Sequence, residues 1–298
     1  MTRSNVRKSS RFFTWMLRIL YALTLLCVLY FLVMGIDFYL TPLSQRPRHE
    51  LFRSLKPGGL RSHGLGIVGS LMLISLLSYT LRKRWRLLQN LGNLSYWLNI
   101  HIFFGVCGPL FIILHSTLKL NGLIAVAFWS MVAVALSGVL GRYLYLQIPR
   151  NIKGHELSLQ EIEEVNKNLA IQLQQRFQLE AREIQSIEME LVKTGKKERN
   201  TAVLLLYLIG GDLGSFFSGR RIKRQLVRRY HLPGQQISEL FHLLKQKAQI
   251  NRRILLWNKI HQLFHYWHVF HKPFAVIMYL IMSIHIGIAL WLGYRWIF

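Results

Sequence analysis

Long apolar runs separated by short polar and basic links form the dominant pattern of this chain. Five runs are about as long as the 20 or so residues that an α-helix needs to cross a bilayer. The pattern therefore predicts an all-α membrane protein with about five transmembrane helices, at residues 12–36, 63–81, 97–119, 123–146 and 271–291.

Residues 150–266 interrupt this pattern and hold most of the acidic side chains, since eleven of the thirteen lie between Glu156 and Glu239. Ser158 and Glu161 have the spacing of a capping box, which predicts a helix start. The apolar run 201–209 is too short to span a membrane and predicts a core helix, and a short strand stays open near 187–191. The predicted divisions are an N-terminal helix and link, helices two to four, a mainly helical water-facing insert, and a fifth helix, at 1–62, 63–149, 150–266 and 267–298.

Two of the predicted transmembrane helices each carry two histidines fourteen residues apart, His101 and His115 in one and His271 and His285 in the other. Fourteen residues correspond to about 21 Å along a helix and roughly 40° short of four turns, so both imidazoles leave the same face. With five alternating spans, helices three and five run in the same direction. The expected pairs are therefore His101 with His271 and His115 with His285.

An ionisable side chain inside a span is a functional candidate, and axial ligation of haem iron is an established role of histidine. We interpret the four histidines as ligands of two b-type haems, held in a bundle of four helices. A hydrogen bond to a neighbouring helix is the competing interpretation for any single histidine. The two cysteines, Cys27 and Cys107, lie apart in apolar runs, so the sequence has neither a CxxCH haem attachment nor an iron–sulfur spacing.

Further residues are candidates for contact with the haems. A flat porphyrin requires small residues beside it, and the candidates are Gly105, Gly108, Gly138, Gly141 and Gly287. Ordinary packing between helices explains each of these glycines equally well. Anionic propionates need basic or hydroxyl partners. The candidates are Arg142 and Tyr143 at the inner level and Arg61, His63 and Lys119 at the outer level. The alternative is that these side chains snorkel to lipid phosphate. His268 is one turn from His271 and is interpreted as lining the site rather than ligating. His63 could instead line a quinol site.

The net charge of +25 does not indicate nucleic-acid binding, because the basic residues lie mainly at the ends of apolar runs and in the insert. Basic residues before the first helix and between the second and third favour a cytoplasmic N terminus and insert, in a bacterial inner membrane, although the link at 37–62 is also basic. Six Lys and Arg residues within 220–229 fit either an acidic redox partner or anionic lipid.

The two pairs, His101/His115 and His271/His285, resemble the ligands of di-haem transmembrane b-type cytochromes, closest to the N-terminal half of the cytochrome b and b6 proteins. They resemble less closely the transmembrane module of ferric reductases and NADPH oxidases. The resemblance covers helices two to five, about two-thirds of the chain without the insert. The large insert and the lack of a PEWY-like segment depart from the cytochrome b pattern.

The resemblance implies transmembrane electron transfer by the membrane subunit of a respiratory complex, with quinone as a possible partner. No Gly-rich nucleotide fingerprint follows a predicted strand, so a flavin, iron–sulfur or cytochrome group would belong to a separate subunit. A ferric reductase-type conduit remains an alternative. A histidine-lined metal or proton transporter is another, although no Asp or Glu lies between the paired histidines.

Overall fold

A computed structural model describes residues 3–150, 156–191, 201–230 and 232–293. These residues form helices and contain no β-strand. In chain order the α-helices are α1 Arg3–Met34, α2 Ile36–Leu40, α3 Phe52–Leu55, α4 Leu60–Ser75, α5 Leu77–Arg84, α6 Leu94–Ser116, α7 Leu123–Gln147, α8 Leu159–Phe177, α9 Ala181–Leu191, α10 Thr201–Tyr230, α11 Gly234–Leu255 and α12 Trp257–Trp291.

Among the described residues, five helical segments are long and apolar enough to cross a membrane. Their number and order confirm the predicted all-α architecture with five candidate spans. They are Arg11–Met34, Phe52–Arg84, Leu94–Ser116, Leu123–Gln147 and Trp257–Trp291.

The chain divides into two compact units, and the first contains residues up to Gly141 together with those from His268 onward. Within it, α4 packs closely against α6. A Cβ atom added to Gly69 on α4 would lie 3.1 Å from the carbonyl oxygen of Gly108 on α6. Small residues therefore let these two backbones approach each other, as is common between membrane helices.

A shared apolar core joins α4, α6, α7 and α12 in this first unit. Leu73 from α4 and Leu76 just after it are buried with Phe128 and Met131 of α7 and Met278 of α12, and Phe104 of α6 packs against them. These are the four helices that the sequence assigns to one bundle.

The link between α2 and α4 closes the C-terminal end of α6. The buried guanidinium of Arg46 donates to the carbonyl of Thr117 at 2.5 Å, and also to the carbonyls of Thr41 and Tyr39. Thr117 is the C-cap of α6 and has a left-handed backbone with φ of 49°. A cation at this position satisfies a terminal carbonyl and complements the helix dipole.

The second unit, Arg142–Trp267, has a core of its own between α8, α9, α10 and α11. The predicted capping box is present, because the Ser158 hydroxyl accepts from the Glu161 amide and the Glu161 carboxylate accepts from the Ser158 amide. The possible strand at 187–191 is wrong: this segment lies in α9, whose Ile184, Ile187 and Leu191 share a buried face at helical spacing.

The limits of two predicted helices differ from the structure. The apolar run 201–209 continues as α10 to Tyr230, and its side chains divide between Leu208, which is fully buried, and Leu206, which is 70% exposed. The fifth long helix begins at Trp257 rather than near His271, which leaves Pro273 in its interior. Proline removes one backbone donor, a loss that membrane helices tolerate where neighbouring groups satisfy the freed carbonyl.

Candidate functional site

The imidazole rings of His115 on α6 and His285 on α12 lie side by side, with centroids 6.5 Å apart and planes at 57°. An imidazole nitrogen binds a first-row metal ion at about 2 Å, so two opposite imidazoles on one ion have ring centres roughly 6 Å apart. The observed separation would allow both imidazoles to ligate one metal ion. We call His115 and His285 the second His pair.

His101 on α6 and His271 on α12 form the first His pair, fourteen residues earlier on both helices. The two imidazoles lie near enough for a charge on one to act on the other. The ring of Tyr79 lies against His101 at a centroid distance of 5.3 Å. The two pairs therefore occupy two levels of the same helix pair.

The histidines of α6 are both held through Nδ1 by backbone carbonyls associated with α4. Nδ1 of His101 lies 3.1 Å from the carbonyl oxygen of Leu76, and Nδ1 of His115 lies 2.8 Å from that of Ser62. A carbonyl only accepts, so each Nδ1 carries the proton and each Nε2 keeps its lone pair. Ligand histidines in metal sites commonly have such a carbonyl partner.

The hydroxyl of Ser137 on α7 contacts Nδ1 of His271. Its oxygen is 2.9 Å from the Val134 carbonyl, to which it donates, and 2.7 Å from Nδ1 of His271. Because the hydroxyl proton is used by Val134, the Ser137 oxygen accepts from Nδ1. His271 therefore also presents an unprotonated Nε2.

The residues whose carbonyls contact His101 and His115 have the same sequence spacing as the two histidines. Ser62 and Leu76 are fourteen residues apart and meet His115 and His101 respectively, as expected for antiparallel helices in one register. Ser62 is fully buried, and its hydroxyl also donates to the His115 carbonyl at 2.8 Å. Ser62 and Ser137 were not predicted from the sequence. The available signals were the fourteen-residue interval between Ser62 and Leu76 and the position of Ser137 within an apolar helix.

Gly66 on α4 lies against the ring of His115. A Cβ atom there would be 2.6 Å from Nδ1 and 2.8 Å from Cγ, closer than real Cβ contacts. The absence of a side chain therefore allows the ring its position beside α4. The sequence predicted a role for the neighbouring His63 but not for Gly66.

The predicted glycines have different surroundings. A Cβ on Gly138 would lie 4.0 Å from Cε1 of His271, so this glycine borders the first His pair. A Cβ on Gly108 would meet Leu73 and Met72, so Gly108 faces α4. A Cβ on Gly105 would have Leu76 at 3.7 Å, and none of the described atoms lies within 4 Å of one on Gly287.

The predicted inner-level partners, Arg142 and Tyr143, belong to the second unit. The Tyr143 hydroxyl donates to the Asp212 carboxylate at 2.8 Å, and the Arg142 guanidinium lies over the Tyr145 ring at 5.5 Å. The hydrogen bond connects α7 with α10, the cation–π contact lies within α7, and neither has a geometry specific to a propionate.

Two other predicted histidines lie close enough to the pairs to interact with them. His63 on α4 interacts electrostatically with His115 and His285, and His268 interacts with His271. Arg61, the neighbouring outer-level candidate, lines an apolar cavity of about 590 Å³ with Cys27, Phe31 and Phe111 among its walls.

Throughout the part of the chain that the structure describes, no three His, Cys, Asp or Glu side chains converge as they would around a metal ion. The four predicted ligand histidines of α6 and α12 instead occur as two pairs. Compared with known proteins, the chain matches no family model, no curated protein and no solved structure.

Proposed function

We propose that this chain is an electron-transfer membrane protein that holds two b-type haems, one between His101 and His271 and the other between His115 and His285. The observation that carries the proposal is the 6.5 Å separation of the His115 and His285 rings, which suits two axial ligands of one iron. Haem iron, when bound, supplies the one-electron chemistry.

The chain's own residues hold and orient the ligands. Leu76, Ser62 and Ser137 fix the Nε2-ligating tautomer of three of the four imidazoles. A hydrogen bond to Nδ1–H also raises the basicity of the ligating nitrogen. The apolar side chains of α4, α6, α7 and α12 exclude water between the two levels. Two sites at different depths of one bundle suit the movement of electrons across a membrane.

The wider assignment is part of the same proposal. The resemblance to di-haem b-type cytochromes supports a membrane subunit of a respiratory redox complex in a bacterial inner membrane, with its N terminus and insert cytoplasmic. Quinone and a separate iron–sulfur, flavin or cytochrome subunit are the proposed exchange partners. The lack of a nucleotide-binding fingerprint in this sequence supports a separate partner.

Single alanine variants of the four ligands test the proposal. The full chain is produced with haem supplied, and haem per chain and the reduced-minus-oxidised spectrum are measured. His101→Ala and His271→Ala should lose one and the same spectral component, and His115→Ala and His285→Ala the other. His265→Ala, an exposed histidine on α12, is the matched control and should retain both. Variants that all keep two haems would refute the ligand assignment.

A further inference from the structure

Helix α10 carries an exposed stripe that changes from apolar to basic along its length. Positions 203, 206, 210, 214, 221, 224 and 228 are separated by three, four or seven residues and so share one face. Val203 is 41% and Leu206 is 70% exposed in the first half, while Arg221, Arg224 and Arg228 are exposed in the second. Among the described residues none forms a hydrogen bond or ion pair with these three guanidinium groups.

The opposite face of α10 is packed into the second unit. Leu208, Ile222 and Leu226 are buried, and the last two belong to the core shared with α9 and α11. The exposed stripe is therefore a stable surface of a folded helix, because the buried face fixes how the helix is rotated.

Contacts with α7 place the middle of α10 at the level where that candidate span ends. Asp212 accepts hydrogen bonds from Tyr143 and Gln147, which lie in the last two turns of the span Leu123–Gln147. Arg252 of α11 forms an ion pair with the same carboxylate. Because Tyr143 and Gln147 lie at the end of that candidate span, we infer that Asp212, where the apolar half of α10 ends, lies near the bilayer surface.

We propose that α10 lies in the membrane interface, with Val203 and Leu206 in the acyl region and Arg221, Arg224 and Arg228 on the phosphates of anionic phospholipids. Helices of this kind bury their apolar face about 5–10 Å below the headgroups, and their basic residues bind anionic lipid. Leu206 and Arg224 are eighteen residues apart, about 27 Å along the helix, so the two halves contact different lipids. The inference is independent of haem binding.

Spin labels measure the depth of α10 in the full chain. Single cysteines replace Leu206, Arg224, Leu136 or Glu163 in a Cys27→Ala, Cys107→Ala background, and the labelled proteins are placed in nanodiscs of phosphatidylcholine and phosphatidylglycerol. Leu136 is an exposed reference within the span α7 and Glu163 an exposed reference in α8. Collision rates with oxygen and with a water-soluble nickel chelate report depth. The background must retain the helical content and monodispersity of the wild type.

The label at 206 should collide mainly with oxygen, as at 136, and the label at 224 should lie between the two references. A label at 206 that is as accessible to nickel as the label at 163 would overturn the proposal. Low accessibility to both reagents would overturn it as well, because it would indicate cover by protein.

Charge variants test the lipid chemistry with the label at 206. Arg221→Gln with Arg224→Gln should move this label toward water in anionic discs and have little effect in discs of phosphatidylcholine alone. Lys167→Gln with Arg182→Gln, which removes two exposed cations from α8 and α9, should leave its depth unchanged in both. Equal effects of the two double variants would contradict a specific role for the basic half of α10.

Discussion

Gly66 faces the ring of His115 so closely that one added methyl group would overlap it, at 2.6 Å from Nδ1. We expect Gly66→Ala to displace this ring and weaken the haem of the second His pair. Overpacking of a tight core costs about 1–3 kcal/mol, which corresponds to roughly 5- to 150-fold in affinity. Haem content after dialysis, resolved by the spectrum of each haem, measures the effect.

Gly210→Ala is the control for this substitution. It adds the same methyl group inside α10 of the second unit, where none of the described atoms would lie within 4 Å of it. It should keep both haems. Equal loss in the two variants would mean that helix propensity or expression, rather than contact with His115, causes the change.

Loss of the Ser137 hydroxyl should weaken haem binding at the first His pair. Ser137→Ala removes the acceptor for Nδ1 of His271 and should weaken that haem about 10- to 100-fold, as is usual when the outer partner of a ligand is lost. Its midpoint potential should shift as well, because the ligating nitrogen becomes less basic. A redox titration with optical detection resolves both haems.

Ser75→Ala is the matched control, since within the described chain the Ser75 hydroxyl bonds the Leu71 carbonyl of its own helix α4. It should leave both potentials unchanged. If Ser137→Ala also changed neither haem, the inferred tautomer of His271 would have no functional role.

At the scale of single residues, the sequence could indicate which histidines matter but not what surrounds them. Equal spacing in apolar runs selected His101, His115, His271 and His285. The partners Ser62 and Ser137 depend on how α4 and α7 are rotated and shifted against the ligand helices. Gly66 is one of many glycines in apolar segments, and only its contact with His115 separates it from Gly287.

Arg46 shows how a short link can support a ligand helix. Its guanidinium joins the carbonyls of Thr117, Thr41 and Tyr39, so it fastens the link to the end of α6 two residues beyond His115. Hydrogen bonds to a charged group contribute about 1.5–3 kcal/mol each. We expect Arg46→Gln to lower the thermal midpoint and to release the haem of the second His pair before that of the first.

Absorbance of each haem during a temperature ramp tests this order of release. Arg48→Gln removes an exposed cation from the same link and should behave like the wild type. Simultaneous release of both haems in Arg46→Gln would contradict a local action of Arg46 on the end of α6.

At the scale of elements, apolar length and the spacing of Ser158 and Glu161 were sufficient to predict five long helices and one capped helix start. Element limits were less accurate. The fifth span was predicted to begin at residue 271, but α12 begins at Trp257 and continues through Pro273, because the preceding aromatic and apolar residues already form a helix. The alternation of apolar residues with glutamates over 187–191 was too short to distinguish a strand from the buried face of α9.

For the whole molecule, the two ligand helices are far apart in the sequence, and the interposed insert folds as a separate unit. Alternation of consecutive spans predicted that helices three and five run in the same direction, and the adjacent rings of His115 and His285 agree with this direction. The identity of the redox partners depends on surfaces and on other proteins, so it stays a proposal.

The number and spin state of the haems in the purified full chain test whether the two His pairs ligate two haems. Haem is supplied during production, and haem b extracted from a known amount of protein is quantified, with electron paramagnetic resonance of the oxidised sample. We expect two haem b per chain, both low-spin, since each iron would have two imidazole ligands. Protein that binds no haem, or that holds a single haem or high-spin iron, would contradict it.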